Sequence, residues 1–274
     1  MQVSQSFNRL TLLAAATAVL AGTLATPGHA AAVAPTAHVT STDELHYEGS
    51  DLANKLKLVS TGGGRIITLE DTTGTSIEPG EGCRRNGGAN MVLCEGAPIR
   101  AIRLVTLGGP DEVRANTPLI TRFEGGTGND TYFGPADTTG GNVTFIGGAD
   151  IDAADYGASP SGVLVDMDGQ ADDGRLNADH DNIDTTVENL LGSDFNDSLR
   201  GNSNDNRIVG REGADALRGG NGDDEVDALE PAGADGSRAD VADLSCGTGI
   251  DVIRVDLADP QVSGDCETVD RRPV

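Results

Sequence analysis

Tryptophan is absent from this chain, and the other large core-forming residues are thin: three Tyr, five Phe and three Met in 274 residues. A sugar-binding platform of exposed Trp or Tyr has little to draw on, and an ordinary globular core lacks its usual members. Basic residues are outnumbered, 19 Lys and Arg against 44 Asp and Glu, for a formal net charge of −25. Such a surplus repels phosphate and weighs against nucleic-acid binding. After residue 30 only His38, His46 and His180 remain, none in a recognisable arrangement with Ser or Cys. No nucleotide-binding loop, nucleophile elbow or HExxH stretch occurs. What the chain holds in excess, beside its acids, is glycine, 38 residues. Such a sequence must stack small residues regularly, take up cations, or stay partly unfolded.

The stretch NRLTLLAAATAVLAGTLATPGHA sets one basic residue, Arg9, before an apolar run from Leu10 to about Leu24, followed by small residues. That layout predicts a secretory signal peptide over residues 1–30 rather than a membrane anchor, which needs about 20 apolar residues. No later run is apolar enough to span a membrane, so the expected location is extracellular, as a secreted protein. In an oxidising compartment four cysteines suggest disulfides, and three connectivities are open to them. Local pairing is the economical one: Cys83 with Cys94 and Cys246 with Cys266. In the chain-entropy account each closure is worth about 3 kcal/mol. The CxxC-like spacing or neighbouring His that a zinc site needs is missing.

The glycines and acids are periodic. Four units follow one another without gaps: GSDFNDSLR from Gly192, GNSNDNRIV from Gly201, GREGADALR from Gly210 and GGNGDDEVD from Gly219. Position one is always Gly. Position six is Asp197, Asn206, Asp215 and Asp224, and position eight is Leu199, Ile208, Leu217 and Val226. A nine-residue period suits a short strand and a tight turn, in which glycine permits positive φ and the single aliphatic residue points inward. Two units make one coil, and coils stack at about 4.8 Å. Asp197 is then expected below Asp215, and Asn206 below Asp224 on the opposite edge. Carboxylates 4.8 Å apart repel by about 0.9 kcal/mol in water and about 3.5 kcal/mol at an effective dielectric of 20. Calcium, a hard cation that takes six to eight oxygens, suits such a column.

These units resemble the RTX, or hemolysin-type, calcium-binding nonapeptide GGxGxDxUx. GGTGNDTYF from Gly125 and GGNGDDEVD from Gly219 match at every specified position. GGADIDAAD from Gly147 departs at position four, where Asp150 stands for Gly, and CGTGIDVIR departs at position one, Cys246. LGGPDEV keeps only Gly109, Asp111 and Val113 of the pattern. The resemblance implies an all-β fold, a parallel β-roll or β-solenoid, with several Ca2+ ions held between turns. The metal positions it carries over are Asp130, Asp152, Asp197, Asp215, Asp224 and Asp251, with Asn206 a weaker member because an amide lacks the charge.

Around the repeats, the segments LKLVS, GRIITLED, NMVLC and IRAIRLVTL read as strands. Residues 31–107 are expected to form an N-terminal β cap pinned by Cys83–Cys94, since an open stack exposes a strand edge. Residues 108–157 read as irregular solenoid turns. Residues 158–190 read as an acidic insertion whose centre, DMDGQADDGRLNADHDNID, is expected to protrude into solvent between strands GVLVD and VENLL. An EF-hand started at Asp166 would want Gly and Glu where Ala171 and Asn177 stand. Residues 191–274 are expected to hold the calcium roll, a longer excursion after Gly219, and a C-terminal cap fastened by Cys246–Cys266.

The expected function is that of a secreted, non-catalytic calcium-binding repeat protein whose roll folds or stiffens on Ca2+. Its partners would be calcium and a cell-surface or extracellular polysaccharide or protein, with neither nucleic acid nor membrane. The alternative is an extracellular polysaccharide lyase or hydrolase on a calcium-stabilised solenoid, because carboxylates alone suffice for sugar chemistry.

Overall fold

The computed structural model describes residues 33–95, 98–138, 140–176, 178–229, 243–257, 259 and 262–272. The expected signal peptide and most of the expected excursion lie outside the described residues. Among the described residues every regular element is a strand. The chain winds as a two-faced solenoid. One face is a 12-stranded sheet; the other is divided between a 7-stranded sheet and a 5-stranded sheet.

Each coil gives one short strand to each face. Glu44–Ser50 and Lys55–Thr61 are followed by Ala101–Leu107 and Glu112–Asn116, then Ile120–Thr127 and Thr131–Phe133, then Val143–Ala149 and Ala153–Asp155. All pair in parallel with their counterparts one coil on. In the repeat block Ser198–Arg200 and Arg207–Val209 lie under Ala216–Asn221 and Glu225–Ala228, and these under Leu244–Thr248 and Val252–Asp256. The all-β parallel roll expected from the period is the fold observed.

The aliphatic column explains how so thin a core suffices. Val113, Tyr132, Ala154, Leu190, Ile208, Val226 and Ile253 stand in register on the long face, and all are buried. Val165, Leu199, Leu217 and Leu244 form the matching row opposite. One inward residue per strand fills a narrow interior when every coil repeats it. The aromatics are spent at the N-terminal end, where Tyr47, Leu104, Phe123, Phe145 and Ile183 align and the rings of Phe123 and Phe145 stack at 4.8 Å.

Antiparallel hairpins close the N-terminal end. Ile66–Asp71, Gly88–Glu95 and Cys83–Asn86 extend the long face, and Cys83 and Cys94, opposite each other in the last pair, are disulfide-bonded. The cap is narrower than 31–107, however, because Glu44–Ser50, Lys55–Thr61 and Ala101–Leu107 are already coil strands. At the other end Thr268–Arg272 adds in parallel to Val252–Asp256, and Cys246 is bonded to Cys266.

The acidic insertion differs from the protruding loop expected of it. Val163–Asp166 enters the 5-stranded sheet, Gly174–Arg175 pairs back on it, and Asn182–Ile183 joins the 7-stranded sheet. Three of its acids are buried, and each is held there by backbone or side-chain donors. Asp173 accepts from the N–H of Asp166 at 2.7 Å and of Ile183 at 2.8 Å. Asp181 accepts from the N–H of Val143 at 2.8 Å and the hydroxyl of Tyr156 at 3.0 Å. Asp179 grips Arg175 through Nε and Nη2, at 2.6 and 2.8 Å. Acid-rich composition could signal solvation, but not that these side chains act as connectors.

Leu217→Ala is expected to cost about 3 kcal/mol of unfolding free energy, as buried Leu truncations do. Leu176→Ala, at a residue 71% exposed, should stay within about 0.5 kcal/mol of the parent. Urea denaturation at fixed calcium measures both, and equal effects would reject the single-column core.

Candidate metal centre

The turn before each strand of the long face ends in an acid or amide, and these side chains are wired to one another. The N–H of Asp111 donates to Oδ1 of Asp130 at 2.9 Å, and that of Asp130 to Oδ1 of Asp152 at 2.8 Å. The series continues from Asp152 to Oε2 of Glu188 at 2.9 Å. In the repeat block Asn206 donates to Asp224, Asp224 to Asp251, and Asp251 to Oε2 of Glu267, each at 2.8 Å. On the opposite edge Val163 donates to Asp197 and Asp197 to Asp215, again at 2.8 Å. The predicted vertical pairs, Asp197 with Asp215 and Asn206 with Asp224, are therefore both present. What holds them in line is a backbone donor that reaches from one coil into the carboxylate of the next.

The two edges leave different oxygens over. Oδ2 of Asp111, Asp130, Asp152, Asp224 and Asp251 is buried without a hydrogen-bond partner. Asp197, by contrast, is saturated, because Ser193 donates its N–H to Oδ2 at 2.6 Å and its hydroxyl to Oδ1 at 2.7 Å. Asn206 is engaged too: its oxygen accepts from Asn202 at 2.8 Å and its amide nitrogen donates to the carbonyl of Glu188 at 3.2 Å. Four of the seven predicted residues, Asp130, Asp152, Asp224 and Asp251, thus share the long-face edge with an orphaned oxygen.

Position one is glycine because the carboxylate occupies the space a side chain would need. A methyl group on Gly125 would lie 2.1 Å from Oδ2 of Asp130 and 2.7 Å from the carbonyl oxygen of Gly147. On Gly219 it would lie 2.4 Å from Oδ2 of Asp224 and 2.2 Å from the carbonyl oxygen of Cys246. At these two positions the orphaned oxygen and a main-chain carbonyl of the adjoining coil border the same space beside the glycine. Among the described residues no three His, Cys, Asp or Glu side chains converge as a side-chain cage. The donor set is one carboxylate oxygen plus carbonyls, all oxygen, which suits a hard cation with flexible geometry better than zinc or copper.

A second ladder runs the other way at position five. Asp223 donates its N–H to Asp205 at 2.8 Å, Ile250 to Asp223 at 2.9 Å and Ala214 to Asn196 at 3.1 Å. Position four takes positive φ at Gly128, Gly213, Gly222 and Gly249, though not at Phe195 or Asn204, and Asp150 takes it at 82° while accepting from the N–H of Gly128 at 2.9 Å. Asp is among the few residues that tolerate this region, so the departure seen in GGADIDAAD leaves the turn intact.

Burial dominates the electrostatics. It pushes the carboxyl of Asp111 up to about 8, of Asp152 and Asp224 up to about 7, and of Asp130 up to about 6, all against a usual value of 3.8. Asp197, Asp251 and Glu188 are raised for the same reason. Burial thus makes each of these groups harder to ionise than a carboxyl in water, Asp111 most of those with a stated value.

Asp111, Glu188 and Glu267 also belong to the column: the sequence reading kept Asp111 as part of the pattern without carrying it over as a metal position, and missed Glu188 and Glu267. Their signal was present as an acid two residues before the apolar residue that stands in the column of Ile253 and its counterparts, in Asp111–Val113, Glu188–Leu190 and, at the exposed end of the stack, Glu267–Val269. The position-five Asn and Asp column was missed as well, because it repeats an amide-or-acid choice and not one residue.

Residues 191–226 match the family model of the RTX calcium-binding nonapeptide repeat (4 copies). Comparison with curated proteins gives no match.

Two outcomes follow from this geometry. Gly219→Ala is expected to weaken calcium binding by about tenfold or more, since it displaces a charged ligand and a carbonyl together. Gly264→Ala, which meets nothing within 4 Å, should leave it unchanged, and calorimetric titration compares the two. The second concerns pH. With raised folded-state values these acids bind more protons folded than unfolded between pH 4 and about 8, so stability must fall as pH rises through that window. In chelator the melting temperature should drop from pH 5 to pH 8, and saturating calcium should reduce the drop. A rise in chelator over that range would contradict the burial of these groups.

Proposed function

We propose, from the premise that this chain is an RTX-type calcium-binding repeat protein, that it is secreted and non-catalytic and serves a binding or structural role outside the cell, with calcium fastening its coils. The observation that carries this reading is the row of buried, unpartnered Oδ2 atoms along the long-face edge. A buried carboxylate oxygen without a partner costs several kcal/mol unless it is protonated or meets a cation, roughly as for any desolvated charge. Asp130, Asp152, Asp224 and Asp251, joined by Asp111, would supply the charged oxygens, with the carbonyls of Gly147 and Cys246 beside two of them. Calcium, when bound, supplies the positive charge that lets these groups ionise inside the fold. Asp197 and Asn206 serve the same columns through hydrogen bonds, and Asp215 holds Asp197 from the next coil.

Secretion is favoured by the two disulfides, which persist in oxidising compartments. A non-catalytic role is favoured by the chemistry on offer. No cysteine is free, so no thiol nucleophile is present, and Tyr47, Tyr132 and Tyr156 are spent in the core.

Calcium titration of the full chain, followed by far-UV circular dichroism and melting, tests the reading. A gain in β signal or in melting temperature is expected at about 0.1–1 mM calcium, the range of extracellular modules. Unchanged spectra and melting from chelator to 10 mM calcium, at about tenfold above that range, would refute calcium fastening. Release of new reducing ends from acidic polysaccharides would refute the non-catalytic assignment.

A further inference from the structure

The described cations of this acidic chain mostly stand against carboxylates: Lys55 on Glu112, Arg103 and Arg122 on Glu124, Arg207 and Arg254 on Glu225. Lys57 and Arg114 do not. They are exposed, and neither has a salt bridge to a described residue. They are also direct cross-strand neighbours on the outer side of the long face. Like charges placed directly opposite destabilise a sheet, and this chain has acids to spare for either position. Glu70 pairs in register with Lys57 from the other side without closing an ion pair. Arg114 is fixed in place, its guanidinium carbon 3.3 Å from the ring centre of Phe133, which follows it in the same row. A guanidinium held over a ring keeps its N–H edges free to point outward.

Three depressions of about 230, 170 and 400 Å³ adjoin these residues. Lys57 and Arg114 line the first two, the first also carrying Glu112 in its ion pair with Lys55, and Asn116 lines the second and the third. The third is walled by neutral hydrogen-bonding groups, Ser60, Thr61 and Thr138. From Lys57 to Thr61 the track follows one strand for roughly 13 Å, at about 3.3 Å per extended residue, and then meets the turn at Gly62 and Gly63. A ligand matched to it is linear, carries carboxylates at one part and is rich in hydroxyls at another.

We propose that this track binds an acidic polysaccharide, a chain of uronate sugars, with a carboxylate held by Lys57 and Arg114 and ring hydroxyls held by Ser60, Thr61 and Thr138. The proposal deepens the binding role put forward above by naming the partner class. Its cations, Lys57 and Arg114, are not among the carboxylates proposed to hold calcium, although Arg114 follows Asp111 in the same coil, so hexamer binding and calcium-dependent melting are read separately. Nucleic acid fits less well, because the one ring in the row, Phe133, is covered by Arg114 and cannot stack on a base.

The test is calorimetric titration of the full chain with a glucuronate hexamer, its carboxyl-reduced counterpart, and single-stranded oligothymidylate. The glucuronate hexamer should bind, and the reduced form should bind about tenfold or more weakly, as expected for loss of charge-assisted hydrogen bonds. Lys57→Ala with Arg114→Ala should cost at least as much with the circular dichroism unchanged. Arg200→Ala, an exposed cation off the track, should change nothing. If the double variant loses its β signal, Lys57→Gln, which keeps the stem, is used in its place. No binding of the glucuronate hexamer, undiminished binding by the variant, or equal binding of oligothymidylate each overturns the proposal. Melting with and without calcium on the same samples reports the calcium reading independently.

Discussion

The stack depends on one kind of hydrogen bond, made on both edges of the repeat coils: a backbone N–H at position six donating into the carboxylate of the coil that follows. Strand pairing alone does not fix the turns of a solenoid, because the ladder ends where the strand ends. The bonds from Asp111 to Asp130, from Asp130 to Asp152 and from Asp224 to Asp251 carry the stacking through the turn. They also force each acid indoors, onto the space that position-one glycine leaves open. A carboxylate with two oxygens and one backbone donor then has an oxygen over, and the demand for a cation follows from that shortage.

Seen this way, acid and glycine excess on one hand and aromatic scarcity on the other are the same fact. A coil that is one inward side chain wide needs little apolar volume, and Leu199, Ile208, Leu217 and Val226 provide it. Its stability is drawn instead from repeated polar contacts in the turns, whose opposed ladders at positions five and six hold each coil from both sides.

The repeat block was readable because a nine-residue period makes three columns agree at once, and one of them, position eight, is a burial signal that physics cannot relax. Glu188 and Glu267 escaped because a glutamate reaches the same acceptor position with a longer side chain and so breaks the residue identity while keeping the chemistry. The insertion was misread for a different reason: Asp173, Asp179 and Asp181 look like solvated acids until the donors they satisfy, from Ile183, Arg175 and Tyr156, are brought together by the fold. Nearest-neighbour composition carries no information about those donors. The disulfides, by contrast, followed from local pairing alone.

One sheet runs unbroken along the solenoid while the opposite face changes sheets at the insertion. Hydrogen-bonded strand ladders resist stretching, so the two faces differ in stiffness at that level. The unbroken face acts as a continuous band, whereas the divided face is joined locally, by the backbone bridge between Asp173 and Asp181 and by the Asp173 carboxylate that accepts from Asp166 and Ile183. The molecule therefore has a preferred plane and sense of bending, with its compliant point at the insertion and its stiff spine along the edge that carries the carboxylates.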